Sequence, residues 1–98
     1  MRRSTLSPEE DRCRQSLDLI ARLRGMTDGE VASRAEGLSV QTVNFRRNGY
    51  TRIRVGDVPR LAAALEVPAE LFSAEPSEIL RWFAERPAEL VVRGQCSV

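Results

Sequence analysis

The chain contains no histidine and no lysine, and only two of its 98 residues are cysteine. Without histidine it lacks the side chain that most often works as a general base near neutral pH or binds a metal. Cys13 and Cys96 are far apart and neither belongs to a CxxC pair, so a reduced, cytoplasmic protein is the simpler expectation. There is no metal-ligand cluster, no glycine-rich phosphate loop and no nucleophile with a candidate base. The paired Glu9 and Glu10 are accounted for by helix capping. These absences argue against an enzyme, a metal and a cofactor. No apolar run approaches the roughly 18 residues of a membrane span. Met1-Arg2-Arg3 leads into polar residues, unlike a signal peptide. All fifteen basic residues are arginine, which reads as the codon bias of a GC-rich genome, that of a bacterium or its phage.

What is present is an ordinary globular composition, 42% hydrophobic and 30% charged, enough for one modest core. Net charge is only +1, but it is unevenly placed. Residues 1–60 carry twelve Arg against eight Asp or Glu, and residues 61–98 three against six. The imbalance is either drift of surface charge or a nucleic-acid-facing part followed by a partner-facing one.

Local signals predict helices throughout, and so an all-α fold. Ser7-Pro8-Glu9-Glu10 forms a capping box that opens a first helix. Cys13, Leu17, Ile20, Ala21 and Arg24 give it one inward stripe, and Gly25 closes it. Residues 1–6 are expected to be a tail. Thr27 with Glu30 opens a second helix running to about Glu36, with Val31, Ala32 and Ala35 inward. Gly37 breaks it, Leu38 turns inward, and Ser39 caps a third helix through Asn48. Asp57 is the expected cap of a fourth, with Pro59 in its first turn. Residues 68–72 start a fifth, residues 77–85 a sixth, and Leu90-Val91-Val92 is a short strand or an unpaired tail.

Two short helices around a glycine turn, the second ending in arginines, suit a particular task. A helix that reads the major groove presents its N-terminal residues to base edges while the preceding helix crosses the backbone. Such a pair needs a small residue at the helix contact, a glycine turn and branched apolar pins. Ala32, Gly37, Leu38 and Val43 provide them.

Residues 17–72 resemble the phage-repressor and Cro-type helix-turn-helix (XRE) family. The likeness is carried by M-T-x-x-E-V-A-S-R-A, G-L-S-x-x-T-V, N-G and L-A-A-A-L-E-V-P-A-E-L-F. It implies a compact, lambda-repressor-like bundle of five helices over residues 7–75, here followed by an additional C-terminal helix and tail over 76–98. It also implies a homodimer on two-fold double-stranded DNA. The family's base-reading positions fall on Val40, Gln41 and Phe45, with Asn44 alongside. Gln41 can pair bidentately with adenine, and Val40 and Phe45 suit thymine methyl groups. Two departures stand out: Glu36 lengthens the turn by one residue, and Asp28 replaces the usual phosphate-binding glutamine. Position 46, normally apolar, is Arg, with Phe45 one place early. Either Phe45 meets DNA, or the helix rolls, Phe45 fills the core and Arg46 swings to a phosphate.

Arg46, Arg47, Arg52 and Arg54 lie in an acid-free stretch between Glu36 and Asp57 and form the expected phosphate clamp, with Ser39 and Thr42 in support. Ile79, Leu80, Trp82 and Phe83 are too apolar for a solvated helix. Some must pack on the bundle, but dimerisation is assigned to residues 77–92 with Ile79, Leu80, Trp82 and Phe83 as its interface, an intramolecular sixth helix being the alternative. The function expected is a sequence-specific DNA-binding regulator, most simply a repressor. An antitoxin with a toxin-neutralising C-terminal segment, or an interaction adaptor that has lost DNA binding, are the alternatives.

Overall fold

The helix starts are written into the sequence as reciprocal hydrogen bonds. In the computed structural model, which describes residues 6–86, helix α1 spans Pro8–Arg24. The Ser7 hydroxyl accepts from the Glu10 N–H (3.1 Å) and the Glu10 carboxylate accepts from the Ser7 N–H (2.8 Å). Acidic residues in its first turn and Arg22 and Arg24 in its last complement the helix dipole. Gly25, at φ 68°, closes it in the left-handed region that glycine adopts without steric cost.

Helix α2 (Asp28–Arg34) repeats the device with Thr27 and Glu30. It stops two residues short of Glu36, because Ala35 is already extended. Residues 35–39 thus form the turn between α2 and the next helix. Gly37 has φ 84° there, and a Cβ on it would meet an Arg60 guanidinium nitrogen at 3.1 Å. Helix α3 (Val40–Arg47) opens on Ser39, whose hydroxyl accepts from the Thr42 N–H. Helix α4 (Asp57–Leu65) departs from expectation at its start. Gly56 holds the cap position, while Asp57 is the first helical residue and its carboxylate reaches back to the Arg54 N–H (3.0 Å). Arg24 covers the far end of α4, donating to the carbonyls of Leu65 (2.8 Å) and Glu66 (2.6 Å). The fifth expected helix is a short 3-10 turn, Ala69–Ser73, and α5 spans Pro76–Ala84. The described residues are therefore all helical in class, with five α-helices and no strand. Among them no helix is long and apolar enough to cross a membrane.

One apolar cluster joins every element: Leu17, Ile20 and Ala21 of α1, Val31 of α2, Val43 of α3, Leu61 and Leu65 of α4, Phe72, and Ile79 and Phe83 of α5. Burying each large side chain contributes about 1.5–3 kcal/mol, so the cluster dominates stability. Two assignments to a dimer interface are thereby corrected. Ile79 and Phe83 are fully buried against this core, because their i, i+4 spacing turns them to the α5 face that meets α1. Leu80 remains half-exposed. Trp82 is partly buried, edge-on to Phe83 (5.0 Å), with Arg86 4.3 Å above its ring. Residue 75 consequently marks no boundary in the packing. The strand-or-tail at 90–92 and, Leu6 apart, the N-terminal tail lie outside the described residues.

Candidate nucleic-acid interface

Helix α3 packs against α2 through Val43, which is 1% exposed, and this single inward contact decides where the other side chains go. One turn of helix carries 3.6 residues, so positions 46 and 47 follow Val43 inward and position 41 faces away, while Val40, on the inward side by period, is exposed because it opens the helix. Val40 is 53% exposed and Gln41 and Ser39 are exposed as well. The Ser39 and Thr42 hydroxyls lie 2.9 Å apart, and whichever donates, one hydroxyl hydrogen stays free for an outside acceptor.

The remaining residues of α3 are tied to the protein itself. Asn44, expected beside the bases, donates to the Asp28 carboxylate at 2.9 Å. Arg47 reaches Asp18 (2.6 Å) and Asp28 (2.9 Å), joining α1, α2 and α3 in one network. Arg46 lies 2.9 Å from Asp57, with their side chains 12% and 8% exposed. Its Nε–H is not aligned on that carboxylate, so the contact is an ion pair and not a hydrogen bond. Arg46 also donates to the Thr51 hydroxyl (3.2 Å) and to the Arg52 carbonyl (2.7 Å). Asn44, Arg46 and Arg47 are therefore turned inward, contrary to the base-reading and phosphate-clamp assignments. The physical reason is that a partly buried guanidinium needs a carboxylate, and Asp18, Asp28 and Asp57 supply one to each. Asp28 has a matching role: its charge is met by Arg47 and Asn44 and does not stand free against a phosphate.

Burial opposes ionisation of Asp18, but hydrogen bonds and charge from Arg47, and then from Arg22, outweigh it and hold the carboxyl below its ordinary range. Burial likewise opposes the Arg47 charge. Its hydrogen bonds and attraction to Asp18 and Asp28 prevail, and its pKa is raised.

Phe45 takes neither of its two expected courses in full. It is absent from the core cluster, so Arg46 is the inward residue and the helix does not roll to bury Phe45. Its ring is half-buried, edge-on to Tyr50 at 5.8 Å and 81°. With Gln41, Thr42, Arg46, Thr51 and Arg54 it lines an open groove of about 320 Å³ along α3. Arg52 is 67% exposed and 3.4 Å from Glu10. The Arg54 side chain enters no ion pair or hydrogen bond among the described residues. Arg60, beside the α2–α3 turn at Gly37, is exposed and equally unpaired among them. Sequence reasoning passed over Arg60, although its place opposite the Leu61–Leu65 stripe of α4 marks it as outward.

The surviving outward set is Ser39, Val40, Gln41, Thr42 and Phe45, flanked by Arg52, Arg54 and Arg60. It offers an amide, hydroxyls and apolar contacts beside the positive charge of Arg54 and Arg60, which no carboxylate among the described residues meets. Comparison with protein-family models, with curated proteins and with solved structures finds no match.

Proposed function

We propose that the protein is a sequence-specific regulator that binds double-stranded DNA through α3, as a homodimer on a two-fold site, and represses by occluding it. One observation carries this reading: the first turn of α3 stands clear of the fold with Val40 and Gln41 exposed, and the side chain of Arg54 opens onto the same face. An exposed helix N-terminus with an amide beside an apolar group matches what the major groove offers, adenine N6/N7 next to a thymine methyl. The flanking arginines suit phosphates, which supply most of the sequence-independent affinity. Two half-sites give a dimer the base contacts that one small domain lacks.

The locked Arg46 and Arg47 favour a second reading, an adaptor whose half-exposed Val40 meets another protein. Selection from random duplex DNA separates the two. The regulator enriches a palindrome whose half-sites lie about 34 Å apart, with affinity falling steeply as salt rises. The adaptor enriches nothing and shows no salt-dependent binding.

A further inference from the structure

Arg46 and Asp57 were read from sequence as a phosphate contact and a helix cap, and the structure gives both of them to the connector between α3 and α4. The Asp57 carboxylate accepts from the Arg54 N–H at 3.0 Å, and the Asp57 N–H donates to the Arg54 carbonyl at 2.9 Å. The peptide groups on either side of the Arg54 side chain are thus held by one residue. Arg46 grips the same segment two residues earlier, at the Thr51 hydroxyl and the Arg52 carbonyl, while its charge is paired with Asp57. The pair is largely withdrawn from solvent, Asp57 being 6% exposed and the Arg46 side chain 12%. The strand of chain so clamped brings Arg54 to the wall of the α3 groove beside Gln41, Thr42 and Phe45. Ile53, on one side of Arg54, is partly buried against the core, but Val55, on the other, is 91% exposed, so on that side the polar clamp and not apolar burial holds the connector.

We infer that Arg46 and Asp57 are positioning residues for DNA binding, their buried ion pair fixing the 51–57 connector so that Arg54 meets a phosphate alongside the groove read by α3. The inference rests on the DNA-binding reading. It makes an acidic residue a contributor to binding a polyanion, opposite in sign to what net charge predicts. Without the clamp, Arg54 remains cationic but must be ordered at the moment of binding, which weakens association.

The test is a double-mutant cycle on the full chain, with binding to a random-sequence duplex followed by anisotropy across a salt series. Arg54→Ala should weaken binding about three- to tenfold and flatten the log–log salt slope by about 0.9, the loss of one phosphate contact. Asp57→Asn should weaken binding similarly although it raises net charge, and Arg54→Ala added to it should cost little more. Thr51→Val releases one Arg46 bond without touching the ion pair and should give a smaller loss, so the cycle does not depend on Asp57→Asn folding alone. If the unaltered protein binds DNA and Asp57→Asn and Thr51→Val leave affinity unchanged or raise it, the positioning role is overturned while the DNA reading stands. If the unaltered protein shows no salt-dependent binding, both are overturned.

Discussion

The two ends of helix α3 differ in almost every physical respect. Its last turn is bound into the fold: Arg46 pairs with Asp57, and Arg47 with Asp18 and Asp28. Its first turn is held by the Ser39 cap and the buried Val43 alone, and it projects Val40 and Gln41 into solvent. The arginines that look most like ligands in the sequence hold the domain together, and the less conspicuous residues before them face outward. Under the proposed function, a basic run points to phosphate binding only where its members lack carboxylate partners, and among the described residues of this run that leaves Arg54.

The sharpest way to break this contrast is Arg47→Met, which keeps the stem and removes the charge. Asp18 and Asp28 then lose their shared cation in a partly buried site, since Arg47 is 17% exposed and the two carboxylates 30% and 21%. Unfolding free energy should fall by about 2–3 kcal/mol in urea denaturation, less than for a fully buried pair because Arg22 still serves Asp18. Adding Asp28→Asn should recover part of that loss, because the uncompensated charge is the costly item. A surface phosphate ligand would behave oppositely, with stability unchanged and DNA affinity reduced.

A smaller effect appears in acid. The folded-state pKa of Asp18 is depressed, so its contribution is complete above the unfolded value of about 3.9 and is lost as pH falls through the folded one. Urea midpoints should therefore fall more steeply below about pH 4 in the unaltered protein than in Asp18→Asn, which should start lower and lose less. Equal slopes would show that Arg47 does not bias this carboxyl.

Much of the frame was legible because its signals are local. The Ser7–Glu10 and Thr27–Glu30 boxes, the Ser39 cap and the break at Gly25 each act within four residues and are found as read, whereas α2 already ends at Arg34, ahead of the break read at Gly37. The inward stripe of α1 follows from its period alone. What was misplaced depended on partners distant in sequence: Asp18 is 29 residues from Arg47, and Asn44 is 16 from Asp28. Periodicity says which face a residue occupies but not whether a carboxylate waits there. Position 46 did carry a usable sign, since an arginine three residues after a buried Val43 demands an acid nearby, and Asp57 was the next acid along the chain. Ile79 and Phe83 erred the other way. Four apolar residues on α5 were counted together, whereas their spacing already divides them into a buried pair and the partly exposed Leu80 and Trp82.

The smallest change in stability, and the most informative for function, belongs to the free end of α3. Gln41→Ala removes an exposed side chain at a helical position that favours alanine, so stability should shift by less than about 0.5 kcal/mol. In DNA binding the same substitution should cost about 1–3 kcal/mol at one base position of the selected site, and little elsewhere. The salt slope should stay constant, because no phosphate contact is lost. Reselecting sites with the variant reads this directly as a flattened preference at one symmetric pair of positions. If Gln41→Ala instead lowered affinity evenly for all sequences, the first turn of α3 would be steering the backbone, and the reading residues would have to be sought at Phe45 and along the groove.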